Sequence, residues 1–165
     1  MRKMIVLVGV SVLAGCGQSG SDGPQETAAA SRFVGAWHLA RFTRTAADGT
    51  ITYPYGDPPG GQIMYTSSGQ MSAQLMRPVD GLSGSAADGE ASDQTQFFAY
   101  WGAYDVDETA GTVTHDVEGS GSRSWVGSRR VRAFRFEGED RLILSPTDGA
   151  DPSVVSELTW VRVPN

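Results

Sequence analysis

The chain has 165 residues, with 13 Lys and Arg against 19 Asp and Glu and a formal net charge of −6. This acidic balance argues against nucleic-acid binding, because phosphate backbones are bound by an excess of Lys and Arg. With two histidines and one cysteine, the chain can form neither an internal disulfide nor a zinc site of four Cys or His ligands. We therefore expect no metal and no cofactor.

The N-terminal segment is typical of a protein that leaves the cytoplasm. Arg2 and Lys3 precede about twelve mostly apolar residues, 4–15, a length that suits a signal peptide and falls short of the roughly 20 residues of a membrane-spanning helix. Residues 13–16, Leu-Ala-Gly-Cys, resemble the lipobox of bacterial lipoproteins. The resemblance implies a signal peptide over residues 1–15 and a Cys16 that carries acyl chains such as palmitate.

The segment that begins at Cys16 predicts where such a protein is held. In bacterial lipoproteins an Asp directly after the acylated Cys favours the inner membrane, and Gly17 stands there instead. The resemblance therefore implies a lipid anchor in the outer membrane, and we expect the periplasmic face. Residues 16–31 are rich in Gly, Ser, Gln and Ala without apolar periodicity, which predicts a flexible tether.

Residues 32–165 are predicted to form one all-β domain. Short runs rich in Val, Ile, Thr, Tyr, Phe and Trp alternate with glycine turns, which is the pattern of successive β-hairpins. We predict eight antiparallel strands in sequence order, closed into an up-and-down barrel because an open sheet would expose two edges. A two-sheet sandwich is the alternative. The strands lie at about 36–46, 61–67, 70–76, 99–107, 112–119, 129–136, 140–145 and 154–163, with a short extra strand at about 50–53.

Residues 92–99, between two of these strands, fit one or two helical turns. Ser92 or Asp93 would serve as the N-cap, because a side-chain oxygen there can accept a hydrogen bond from an unpaired amide of the first turn. The helix would lead directly into the strand that starts at about residue 99.

Short motifs along the predicted strands resemble the bacterial and fungal lipocalin-like domain family. The similarity runs from about Phe33 to Val163. It implies a lipocalin- or calycin-like barrel with an interior cavity, and it implies no single activity. The motifs lie at 33–37 (FVGAW), 53–56 (YPYG), 64–66 (MYT), 69–78 (GQMSAQLMRP), 100–107 (YWGAYDVD), 111–115 (GTVTH), 117–120 (VEGS) and 125–127 (WVG).

Alternate residues of a strand share a face, so the sequence pattern indicates which side chains enter the barrel. Tyr100 and Tyr104 lie on the more apolar face of their strand, and His115 shares a face with two valines on the next. Trp37 points inward if the chain follows lipocalin-type barrels. The predicted ligand-binding residues are Trp37, Tyr65, Tyr100, Tyr104, His115, Trp125, Arg132 and Phe134.

Two polar residues of this set have a structural alternative. His115 is either a core histidine that hydrogen-bonds a tyrosine hydroxyl or a group that contacts a ligand. Arg132 either reaches solvent from the end of its strand or needs an acidic, aromatic or ligand-carboxylate partner, because an unpaired buried charge is costly.

We interpret the chain as a monomeric, membrane-anchored protein that binds a small hydrophobic molecule in the barrel lumen, without a catalytic residue. One alternative is an isomerase or cyclase in which Tyr100, Tyr104 and His115 exchange protons with an apolar substrate. Another is a structural envelope protein whose barrel is filled by its own side chains.

Overall fold

The computed structural model describes residues 28–78, 97–149 and 151–164. A short helix α1 (Ala28–Phe33) precedes nine strands, and a one-turn 3-10 helix (Arg123–Trp125) lies between β6 and β7. The strands are β1 (Gly35–Thr45), β2 (Ile51–Thr52), β3 (Gly60–Tyr65), β4 (Gln70–Met76), β5 (Phe97–Asp107), β6 (Thr112–Ser120), β7 (Arg129–Glu137), β8 (Arg141–Pro146) and β9 (Val155–Arg162).

Eight of the strands form a closed antiparallel barrel. Neighbours pair in the order β1-β3-β4-β5-β6-β7-β8-β9, and β9 pairs back onto β1, while the two-residue β2 extends β1 at one end. Closure leaves no long unpaired edge in the eight-stranded cylinder. The predicted eight-stranded barrel is confirmed, with the extra strand at Ile51–Thr52, and the sandwich alternative is wrong.

Period-two alternation places the core inside the barrel. On β4, Met71, Ala73 and Leu75 are buried, whereas the alternate residues are partly or fully exposed. The same alternation on β6 buries Val113, His115 and Val117. The lumen is therefore lined by side chains from every long strand, as expected for a barrel of this size.

Two irregularities interrupt this alternation. The register between β1 and β9 shifts between Leu39 and Arg41, and that between β5 and β6 shifts at Gly102. At the second bulge the chains approach so closely that a Cβ on Gly102 would stand 1.9 Å from the carbonyl oxygen of Asp116. Only glycine fits there, because any side chain would force the two strands apart.

The structure corrects the predicted helix at 92–99. Its last three residues belong to β5, which begins at Phe97 and pairs there with Met76 of β4; the other five lie outside the described residues. The aromatic run from Phe97 to Trp101 pairs with β4, so tertiary pairing outweighs any local helical preference.

The predicted tether and signal peptide are largely outside the described part of the chain. The tether of residues 16–31 overlaps α1, so its last four residues are helical instead of irregular. Residues 1–15 and Cys16 lie outside the described residues. None of the helices that the structure describes has the length and apolar character needed to cross a bilayer.

Candidate functional site

One end of the barrel is sealed by Phe33, the last residue of α1. Its side chain is fully buried and meets three aromatic rings edge-on, with centroid distances of 5.1 Å to Tyr65, 5.0 Å to Phe134 and 5.2 Å to Phe136. Edge-to-face contacts at these distances are favourable beyond the area they bury. Tyr104 packs on the same cluster, 4.8 Å from Tyr65. This end of the lumen is therefore filled.

Polar contacts fix the sealing segment in place. The indole nitrogen of Trp37 donates to the carbonyl of Phe33 (2.8 Å), and the Arg162 guanidinium lies 4.0 Å from the centre of the Trp37 ring. Arg162 also donates to the carbonyl of Val34 (2.9 Å). These contacts join the last strand to the segment that precedes β1. They therefore fix the position of Phe33 and also stabilise the closure of the barrel.

The opposite end of the barrel contains a cavity of about 370 Å³. Ligand pockets in proteins generally fall in the range of about 300–1,000 Å³ and are mainly apolar with a few polar groups. Aromatic and aliphatic side chains from six strands and one loop form most of this cavity: Phe42, Tyr55, Ile63, Ala73, Leu75, Phe98, Tyr100, Leu144, Leu158 and Trp160.

A cluster of charged groups lies on one side of the cavity. Arg130 and Arg132, neighbours on the inner face of β7, both bind Asp148 from the loop after β8, at 2.8 Å and 3.2 Å. Arg130 also stacks on Trp125, 4.1 Å from its ring centre. Partial burial alone would raise the pKa of Asp148, but the hydrogen bond from Arg130 and the charge of Arg132 hold it below the usual value. The carboxylate is therefore ionised at neutral pH.

His115 lies beneath this cluster, fully buried between two tyrosines. Its Nε2 is 2.9 Å from the Tyr65 hydroxyl and its Nδ1 is 2.9 Å from the Tyr100 hydroxyl. A neutral imidazole has one donor and one acceptor nitrogen, so one tyrosine donates to the ring and the other accepts from it. Both ring nitrogens are thereby satisfied inside the barrel.

The protonation states of this trio follow from burial. Desolvation, assisted by the positive charge of Arg132, lowers the pKa of His115 to about 3. Burial raises the pKa of both the Tyr65 and the Tyr100 hydroxyl. At neutral pH all three groups are neutral. A base of such low pKa and two hydroxyls of high pKa exchange protons poorly, since a catalytic acid or base works best with a pKa near the operating pH.

The structure divides the predicted ligand-binding residues into two groups. Tyr100, Trp125 and Arg132 line the cavity. Trp37, Tyr65, Tyr104 and Phe134 belong to the filled end, around Phe33. His115 joins the two groups through Tyr65 and Tyr100. The predicted inward direction of His115 is correct, and its partners are those of a hydrogen-bonded core histidine.

Sequence alternation missed several cavity residues for a definite reason. From Trp37 and Leu39 the pattern continues to Arg41, but the β1 bulge shifts it by one residue, so Phe42 and Arg44 face the cavity. Asp148 lies in a loop, where periodicity carries no information. Leu158 and Trp160 could have been found, because they alternate regularly on β9.

The described residues contain no group of three or more His, Cys, Asp or Glu side chains that could hold a metal ion. The polar side of the cavity carries arginines and one carboxylate, which suits an organic ligand better than a cation.

The chain is similar to a known domain family and to several solved structures. A family model described as a lipocalin-like domain matches residues 34–163, from just before β1 to just after β9. A solved structure of a redesigned beta barrel is similar, with 15% identity over 81% of this chain and 94% of that chain and a TM-score of 0.42. So is the tryptamine complex of the amine binding protein of Rhodnius prolixus, with 13% identity over 81% of this chain and 64% of that chain and a TM-score of 0.42. No curated protein matches the sequence.

Proposed function

Since the chain belongs to the lipocalin-like domain family, we propose that its barrel binds a small, largely apolar molecule in the cavity at the open end. The observation that carries this proposal is the contrast between the two ends of one lumen. Side chains fill the end around Phe33, whereas about 370 Å³ remains open at the other end. A barrel that served only as a rigid body would gain stability from filling that space as well.

The chemistry of the cavity wall supports an apolar occupant. Transfer of apolar surface from water to such a wall contributes roughly 25 cal/mol per Å². Leu75 of β4 and Leu158 and Trp160 of β9 provide part of that surface, and polar groups of β7 line the same cavity. The isomerase or cyclase alternative has less support, because His115 is neutral and both its nitrogens are already bonded to tyrosines.

Ala73 offers a direct test, because its side chain is buried and points into the cavity from β4. We expect Ala73→Leu to weaken binding of the neutral fluorescent probe N-phenylnaphthylamine by about tenfold or more, since about 1.4 kcal/mol of lost contact is enough for that change. Fluorescence titration of the full chain carrying Cys16→Ser, which removes the acylation site, measures the affinity.

Ala133→Leu is the matched control. Ala133 is exposed on the outer face of β7 and receives the same added side chain without touching the cavity. Its affinity for the probe should stay within about twofold of the parent. Equal affinities for Ala73→Leu and the parent would mean that the probe binds elsewhere, and would overturn the proposal.

We propose further that an acylated Cys16 holds the barrel at the outer membrane, on the periplasmic side. The lipobox-like residues 13–16 support this proposal. Two or more acyl chains are needed for stable attachment. Labelling of cells with a radioactive fatty acid should mark the protein and leave Cys16→Ser unlabelled; equal labelling of both would refute the anchor.

A further inference from the structure

The open cavity has an excess of positive charge. Arg130 and Arg132 both pair with a single carboxylate, that of Asp148, so this ion-paired group of described residues keeps one net positive charge. The whole chain has a net charge of −6, so the positive charge at the cavity is opposite in sign to the net charge of the chain.

Arg132 is the unusual member of the pair. Its side chain is only 8% exposed, and its contacts other than Asp148 are with neutral groups: the carbonyl of Val131 (3.1 Å), the hydroxyl of Tyr100 and, less directly, the face of Trp125 (5.9 Å). A buried guanidinium is costly unless it is paired and hydrogen-bonded. Asp148 supplies one carboxylate oxygen to each arginine, so the planar donor fork of Arg132 is only partly used.

A third arginine faces the cavity from the other side of the barrel. The β1 bulge turns Arg44 toward the cavity, and β8 and β9 separate its strand from β7. No acidic side chain in the described ranges forms an ion pair with Arg44. The cavity is therefore lined by three arginines from two separate strands and by the carboxylate of Asp148.

Trp160 adds an unsatisfied hydrogen-bond donor beside the same space. Its side chain lines the cavity, and its buried indole N–H has no acceptor within the described part of the chain. Buried donors in proteins nearly always have an acceptor. An occupant with oxygen acceptors, such as a carboxylate, can satisfy this donor, whereas an ammonium group or a hydrocarbon cannot.

From this arrangement we propose that the natural ligand is an amphipathic anion, an aromatic or aliphatic body that carries a carboxylate. The body packs against the apolar wall of Leu75, Leu158 and Trp160, and the carboxylate meets Arg132 and Arg130. This inference rests on the proposed binding function and specifies its ligand class. Charge-assisted bonds from Arg to a carboxylate are about twice as strong as neutral hydrogen bonds, so the anion dominates selectivity.

Three naphthalene derivatives of nearly equal size test the charge alone: naphthaleneacetate, naphthaleneethanol and naphthaleneethylamine. Isothermal titration calorimetry on the full chain carrying Cys16→Ser compares their affinities. We expect the acetate to bind at least about tenfold more tightly than the alcohol, and the amine to bind most weakly. Arg132→Met should reduce the preference for the acetate to less than about threefold while leaving the affinity for the alcohol nearly unchanged.

Two further variants keep the test decisive if Arg132→Met folds poorly. Arg44→Gln changes an exposed side chain and should lower the affinity for the acetate by about threefold or more, with no effect on the alcohol. Arg135→Gln is the matched control, because Arg135 is on the outer face of β7 and pairs with Glu157. Its acetate affinity should not change.

The outcomes separate the ligand class from the binding function. If the three compounds bind equally, or the amine binds best, the anionic ligand is refuted and the apolar cavity stands. If none of them binds, including the neutral alcohol, the binding function itself fails, and the ligand class fails with it.

Discussion

Replacement of His115 by leucine should lower the free energy of unfolding by about 3–5 kcal/mol. Leucine removes both hydrogen bonds of the imidazole, so the buried hydroxyls of Tyr65 and Tyr100 each lose their bond to residue 115. A buried polar group that loses its partner costs about 1–3 kcal/mol, and two such groups are affected here. Urea unfolding at pH 7.5, followed by tryptophan fluorescence, measures the change.

A double-mutant cycle identifies the cause of that loss. Tyr65→Phe removes one of the stranded hydroxyls, so Tyr65→Phe with His115→Leu should be less destabilised than the sum of the two single variants. His38→Leu, which changes the exposed histidine of β1, should stay within about 0.5 kcal/mol of the parent. A value for His115→Leu within about 1 kcal/mol of the parent would show that the two hydrogen bonds contribute little.

Acid should destabilise the protein well above the range in which carboxylates titrate. In the folded state the pKa of His115 is lowered to about 3 by burial and by the charge of Arg132, whereas in the unfolded chain it has the ordinary value of 6.5. Above pH 6.5 the imidazole of His115 is neutral in both the folded and the unfolded chain. Below pH 6.5 His115 is protonated in the unfolded chain but not in the folded protein. The free energy of unfolding therefore falls by about 1.4 kcal/mol per pH unit until about pH 3.

Between pH 7.5 and 5.0 this effect amounts to about 2 kcal/mol of lost unfolding free energy. His115→Gln should lack most of the loss, because an amide keeps a donor and an acceptor in the site and does not titrate. The matched control is His38→Gln, which replaces the exposed histidine of β1. Asp148, whose pKa is lowered, contributes in the same direction only at more acidic pH. Identical pH profiles for the parent and His115→Gln would contradict the assigned neutral, buried imidazole.

The arrangement of strands could be predicted from the sequence because glycine turns and β-rich runs alternate regularly. Predicted strand ends differ from the structure by one or two residues in most cases, and β4 coincides with the prediction. Regular alternation also predicted the inward direction of His115 correctly, whereas it left open whether Arg132 reaches solvent or the barrel interior, where the structure places it. These features depend on local chemistry, which a single sequence carries.

The division of the lumen into a filled end and an open end could not be predicted in the same way. It depends on Phe33, which lies in a segment with no strand pattern, and on a bulge in β1 that brings Phe42 and Arg44 to the cavity. Asp148 becomes a partner of Arg130 and Arg132 only because a loop folds over β7. Such long-range contacts between loops and strands leave no periodic trace in the sequence.

A crystal structure of the chain saturated with naphthaleneacetate tests the central claim most directly. We expect the naphthalene body between Leu75, Leu158 and Trp160, with its carboxylate within hydrogen-bond distance of the Arg132 guanidinium and the ring of Phe33 still sealing the far end. A lumen filled by the protein's own side chains, or a ligand bound only on the outer surface, would contradict the account.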